Sequence, residues 1–254
     1  MTTDALAFDE AEIEVMLANL DSFSEEEVAE IDSMVNELTT RNTNKRAYDD
    51  LIEFCKVMMP DFIVGKHHRI LADMLMAIER GEKDRICVNI PPRHGKSQLV
   101  SIFFPAWFLG RNPGKKVMMV SHTTDLAVDF GRKVRNLIAL DAYRSIFPTV
   151  KLAQDSKSAG RWNTNVGGEY YACGIGSALA GRGADLLLVD DPHSEQDVIN
   201  GNFSVFEKAY EWFTFGARTR LMPGGSVAII QTRWHLDDLT GRVTRDMGKN
   251  ERAD

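Results

Sequence analysis

The chain has 254 residues, 44% hydrophobic and 26% charged: enough apolar matter for one large α/β domain or two small ones, and too much for disorder throughout. Its longest apolar runs, 103–109 and 117–120, fall far short of the roughly 18 to 20 residues that a bilayer-spanning helix needs, so no membrane is expected. The net charge of −7 is uneven: residues 1–40 hold 12 of the 37 acidic side chains and no Lys or Arg, leaving 30 basic against 25 acidic elsewhere. The main body is thereby free to turn a basic face toward a phosphate backbone. The start shows no basic leader followed by an apolar run, and Cys55, Cys87 and Cys173 are too few and too widely spaced for a disulfide framework or a zinc knuckle, so a reducing cytoplasm is expected.

In chain order, helical spacing of Ile13, Met16, Leu17 and Leu20, and again of Val28, Ile31, Val35 and Leu38, predicts two amphipathic helices. Ser24 and Glu27 form a capping box for the second. A polar break over 39–44 makes residues 1–44 an acidic helical appendage and 45–254 the main domain. Further helices are expected over 46–59, stopped by Pro60, and over 67–80, ended by Gly81. Short buried runs then alternate with helices: 86–90, 117–121, 186–190 and 227–232 as strands, with helices from Lys96, over 123–140 and over 203–217. That alternation predicts an α/β fold with a mainly parallel sheet covered on both faces. Residues 161–174 fit a β-hairpin turning at Gly167 and Gly168.

Two motifs carry chemistry. After the first strand comes Pro91-Pro92-Arg93-His94-Gly95-Lys96-Ser97, and then an apolar helix. Such a loop turns backbone N–H groups and the positive end of a helix dipole toward an anion. Lys96 then reaches the terminal phosphates and Ser97 offers a hydroxyl to Mg²⁺. Ile90 stands where the usual pattern has its first glycine. The second motif, Leu186-Leu187-Leu188-Val189-Asp190-Asp191, is a buried strand ending in paired carboxylates, an arrangement that calls for a cation. Asp190 suits the metal; Asp191, expected on the other side of the strand, suits the attacking water. Scattered His94, His122, His193 and His235 show no metal-ligand spacing.

These strings, with Gly181-Arg182-Gly183-Ala184 before the aspartate strand and Gln231-Thr232-Arg233-Trp234-His235 after the last, resemble the large subunit of the tailed-bacteriophage terminase over about 61–241. The resemblance implies the N-terminal ATPase of a DNA-packaging motor, a P-loop NTPase of the additional-strand (ASCE) type. It implies a phosphate-loop strand with the Asp-Asp strand beside it. It also removes the objection of Ile90, since the family lacks that first glycine. Catalytic roles follow for Asp191, for Arg93 in the loop, for Arg182 as a finger into a neighbouring subunit, and for Thr232 as the γ-phosphate sensor. Nucleotide contacts fall on Pro92, Arg93, His94, Gly95, Lys96, Ser97 and Gln231, with Phe62, His67 and His68 as candidates for the base; Ser97 and Asp190 take the metal. Trp234 and His235 are expected to pack the turn that follows.

The implied cofactors are ATP and Mg²⁺. The implied partners are double-stranded DNA, the portal protein, the small terminase subunit and further copies in a ring, a pentamer on the portal and a monomer in isolation. The implied location is the host cytoplasm, outside the mature virion. A nuclease domain has no room after the last motif, so no nuclease activity is expected. Two other readings stand beside the motor: a helicase-like ATPase, for which a second motor half is missing, and a nucleotide-binding docking module without turnover, which would have no need of Asp191.

Overall fold

Each expected buried run forms a strand, because branched and apolar residues on both faces suit a sheet covered on both sides. The computed structural model describes residues 23–156 and 158–247. Its strands are β1 (Arg85–Asn89), β2 (Lys116–Ser121), β3 (Arg161–Asn163), β4 (Glu169–Gly174), β5 (Ala184–Asp190) and β6 (Leu221–Gln231). They lie in the order β1-β6-β5-β2-β4-β3, all parallel except the β3/β4 hairpin, whose turn holds Gly167 at φ +89°.

The Asp-Asp strand does not lie beside the phosphate-loop strand. β6, the last strand in sequence, is inserted between them, with Ala228 opposite Ile86 on one side and Leu188 on the other. The physical reason is that 227–230 are buried and apolar on both faces, which fits an interior position satisfying the free edges of both β1 and β5. This is the additional strand of the fold class. Strand alternation divides the core: Val117, Met119, Leu186, Leu188, Ala228 and Ile230 pack on one face, Met118, Val120, Leu187, Val189, Val227 and Ile229 on the other. In-register pairs Asn89/Gln231, Ser121/Asp190 and Ser121/Gly174 align the carboxyl ends, so the segments that follow these strands emerge along one edge.

The helices are α1 (Glu25–Asp49), α2 (Leu51–Met58), α3 (Lys66–Glu79), α4 (Phe104–Arg111), α5 (Thr124–Ile138), α6 (Asp141–Ile146), α7 (Glu195–Ile199), α8 (Ser204–Glu211) and α9 (Leu239–Asp246). None of them is long and apolar enough to cross a membrane. The chain divides into two compact units, 1–46 and 47–254. The first expected helix, with Ile13 and Leu20, lies outside the described residues.

The Ser24 and Glu27 cap is present, with Ser24 N–H donating to Glu27 Oε2 at 2.8 Å. The expected break over 39–44 is absent, and α1 runs through it. Thr and Asn there cost at most roughly 0.7 kcal/mol each in a helix interior, too little to end a helix. The break falls at Asp50 instead: its carboxylate caps α2 by accepting from Ile52 and Glu53 N–H, so the expected helix over 46–59 is split.

The helix after the loop 91–97 widens, two residues in, into a π-type stretch, Gln98–Phe103, in which Phe104 N–H bonds back to Leu99 O. Pro105 accounts for the widening, since it has no N–H to give the carbonyl four residues back and its ring crowds that carbonyl. A second such stretch, Trp212–Ala217, continues α8.

Candidate active site

The candidate phosphate loop, 91–97, is set by two left-handed residues, Arg93 at φ +62° and Gly95 at φ +72°. The helix starts at Lys96, and Leu99 N–H to Gly95 O closes its first turn. The unpaired N–H groups of that turn face the loop. Pro92, Arg93 and His94 are exposed and Lys96 is buried. Arg93, exposed, makes no ion pair among the described residues. His94 Nδ1 donates to Pro92 O at 2.8 Å, and the His94 carbonyl is bonded by the ring nitrogens of His67 and His68.

Lys96 already meets the second motif: its ammonium lies 2.8 Å from Asp191 Oδ2. Asp191 sits one residue past β5 at φ +43°, a conformation that L side chains resist, so strand alternation is not what aims it. Its N–H bonds Ile230 O, and its Oδ1 accepts from Thr232 N–H at 2.8 Å. Thr232 Oγ1 in turn donates to Ile90 O at 3.3 Å, so the tip of β6 ties the root of the phosphate loop to the carboxylate.

Asp190 is 1% exposed and shares the strand face of Leu186 and Leu188. Ser101 Oγ donates to its Oδ2 at 2.6 Å, while Oδ1 has no partner among the described residues. Burial first, and then the charge of Asp191, push its pKa up to about 6; the hydroxyls of Ser101 and Ser97 and the Lys96 ammonium pull the other way. A buried carboxylate with one bare oxygen beside a second carboxylate fits a small hard cation, and the adjacent Ser97 hydroxyl is a suitable co-ligand.

The structure thus brings together Lys96, Ser97, Asp190, Asp191 and Thr232. It does not bring Gln231 to them. That side chain follows the parity of Val227 and Ile229, the face opposite to Asp190, and both its amide atoms are buried without a partner among the described residues. Arg182 lies at the other edge of the sheet, just before β5, with its guanidinium 4.2 Å from the centre of the Tyr171 ring and 3.6 Å from Glu169. β5 alone spans roughly 20 Å, so Arg182 cannot reach its own chain's phosphate loop. Phe62 is half-buried against His68 and Phe103, beneath the loop. His235 stacks on Phe206 at 5.1 Å, as expected of a packing residue.

Sequence reasoning missed three groups. Ser101 holds Asp190 from the following helix; a single hydroxyl in an otherwise apolar stretch was the available signal. Asp238 is fully buried and accepts from Arg233 Nε, Trp234 N–H and Gly241 N–H, so it fixes the turn after Thr232. An Asp just before a helical run is a recognisable N-cap. His193 joins the loop after Asp191 to that turn by accepting Leu239 N–H at 3.0 Å; burial pushes its pKa down to about 4, so it is neutral at pH 7.

The family profile described as terminase large subunit, T4likevirus-type, N-terminal, matches residues 87–201. Among solved structures, the crystal structure of the HK97 bacteriophage large terminase superimposes with a TM-score of 0.51 at 14% identity, over 77% of this chain and 39% of that one. The chain therefore spans about two fifths of that protein's length, and the likeness shows the shared fold. No curated protein matches. The chain is therefore similar to the N-terminal part of terminase large subunits over 87–201 and shares the fold of that phage large terminase.

Proposed function

We propose that this relative of the terminase large subunits is an ATPase that hydrolyses Mg-ATP to translocate double-stranded DNA into a prohead. The observation that carries the reading is the convergence of Lys96, Asp191 and Thr232 with the half-satisfied Asp190 at the amino end of one helix. Lys96 exchanges Asp191 for the phosphate oxygens of an arriving nucleotide, a charge-assisted contact that costs little because the ammonium is already desolvated. Asp191, released from Lys96 but still held by Thr232 N–H, takes a proton from the attacking water. Arg93 supplies paired donors to the charge that develops on the transferred group. Asp190 and Ser97 would hold magnesium, whose chemistry there is to neutralise phosphate charge.

Thr232 stands between the loop and Asp191, where it can sense loss of the terminal phosphate and pass it to the turn held by Asp238. Arg182 acts on a neighbouring copy, a role supported by its distance from its own site. Proposed partners are the portal protein, the small terminase subunit and further copies in a ring in the host cytoplasm. Phosphate release from ATP, with and without double-stranded DNA, tests the reading. Activity dependent on magnesium and lost in Asp191→Asn supports it; ATP binding without any turnover would favour a docking module.

A further inference from the structure

His68 is only 7% exposed, and both of its ring nitrogens face backbone groups of fixed polarity. Gly65 N–H can only donate, so Nδ1, 3.0 Å away, is the acceptor. The His94 carbonyl can only accept, so Nε2, 2.9 Å away, carries the proton. One neutral tautomer satisfies both. The ring is also seated directly against the loop: a Cβ built on Gly95 would lie 2.4 Å from the same Nε2. Phe62 backs the ring at a centroid separation of 5.2 Å and rests edge-on against Phe103 in the helix that follows the loop. His67 adds a second bond to the His94 carbonyl, at 3.0 Å.

In a trans peptide the carbonyl of one residue and the N–H of the next point in opposite directions. We propose that His68 is a positioning residue for the phosphate loop: by holding the His94 carbonyl on the protein side, it keeps the Gly95 N–H turned toward the anion. Glycine at 95 makes a flip of this peptide cheap, and a flipped peptide would present a carbonyl oxygen to the phosphates. The ring therefore supports the loop from beneath and does not contact the base. This inference rests on the nucleotide reading only for its effect on ATP, since the brace itself is a property of the free protein.

The test compares His68→Phe, which keeps a ring and loses both polar atoms, with His68→Gln, whose amide can accept from Gly65 N–H and donate to His94 O as in an ordinary capping box. Hydrogen exchange of the Gly95 and Lys96 amides is measured in the nucleotide-free protein, and KM and kcat for Mg-ATP are measured in parallel. H68F is expected to speed that exchange about tenfold and to raise KM about tenfold, with kcat changed less than about threefold; H68Q recovers most of both. Wild-type exchange and KM in H68F would overturn the proposal, as would an H68Q variant as impaired as H68F, which would assign the effect to ring packing. Should the wild type bind no ATP while H68F still loosens the loop, the brace stands and the nucleotide reading falls. Imidazole ¹⁵N shifts of the wild type give a check that needs no variant: His68 is expected protonated on Nε2, and a proton on Nδ1 would overturn the assignment.

Discussion

The two edges of the sheet are made by the same strands yet treat polar groups in opposite ways. At the amino edge, charges sit near solvent and pair locally: Glu169 with Arg161 and Arg182, the Asp185 carboxylate with Lys116 N–H, Arg85 with the carbonyl of Gly225. At the carboxyl edge, Lys96, Asp190, Thr232, His193 and Asp238 are buried, and Asp190 Oδ1 has no partner among the described residues. Groups of the first kind add little to stability and are easily exchanged. Those of the second kind cost stability wherever they are imperfectly paired, so their presence marks this edge as the candidate site.

The sharpest break of this comparison is at the Lys96 and Asp191 pair. Lys96→Ala and Asp191→Asn are each expected to lower ATP turnover by at least about 10³-fold, as phosphate release measures, with Asp191→Asn retaining nucleotide binding. Next comes Asp238→Ala, which strips an acceptor from several buried N–H groups at once. Chemical denaturation should show a loss of about 3 kcal/mol, and kcat should fall with it as Thr232 loses its support.

Asp190→Asn is expected to abolish turnover and yet stabilise the protein. The folded pKa of Asp190, about 6, lies above its free value of 3.8, so folding favours the neutral carboxyl. Its contribution is therefore full below pH 3.8 and is lost as pH rises to about 6. Thermal melts should show Asp190→Asn ahead of wild type above pH 6, by on the order of 3 kcal/mol, with the gain vanishing toward pH 4. At the amino edge, Arg182→Ala should cost at most about 1 kcal/mol in the isolated chain. In mixed assemblies its protomers should fail to stimulate wild-type neighbours; unaltered stimulation would return Arg182 to a purely local role with Tyr171 and Glu169.

What was legible in the sequence follows from the range of the forces involved. Strands 86–90, 117–121, 186–190 and 227–232 could be read because burial on both faces leaves a continuous apolar run. The loop 91–97, Ser97, Asp190 and Asp191 could be picked out as candidates because their spacing is local to a strand end, whereas Thr232 could be singled out only through the resemblance. Spatial strand order could not: nothing along the chain says that β6 enters between β1 and β5, since that choice is made by edges pairing at long range. The left-handed turn at Asp191 was hidden as well, because residue type alone gives no sign of a strained φ that tertiary bonds enforce. Gln231 shows the same limit from the other side, since it lies in a recognisable motif while strand alternation turns its side chain to the face opposite Asp190. The run of Thr and Asn over 39–44 shows that modest propensity penalties are too small to interrupt α1.

The central claim is that the ammonium of Lys96 is held by Asp191 only until a triphosphate replaces it. A crystal structure with magnesium and a non-hydrolysable ATP analogue tests this most directly. The account predicts the terminal phosphates against Gly95, Lys96 and Ser97, the metal at Asp190, and the 2.8 Å contact between Lys96 and Asp191 broken. An analogue bound elsewhere with that ion pair intact would contradict it.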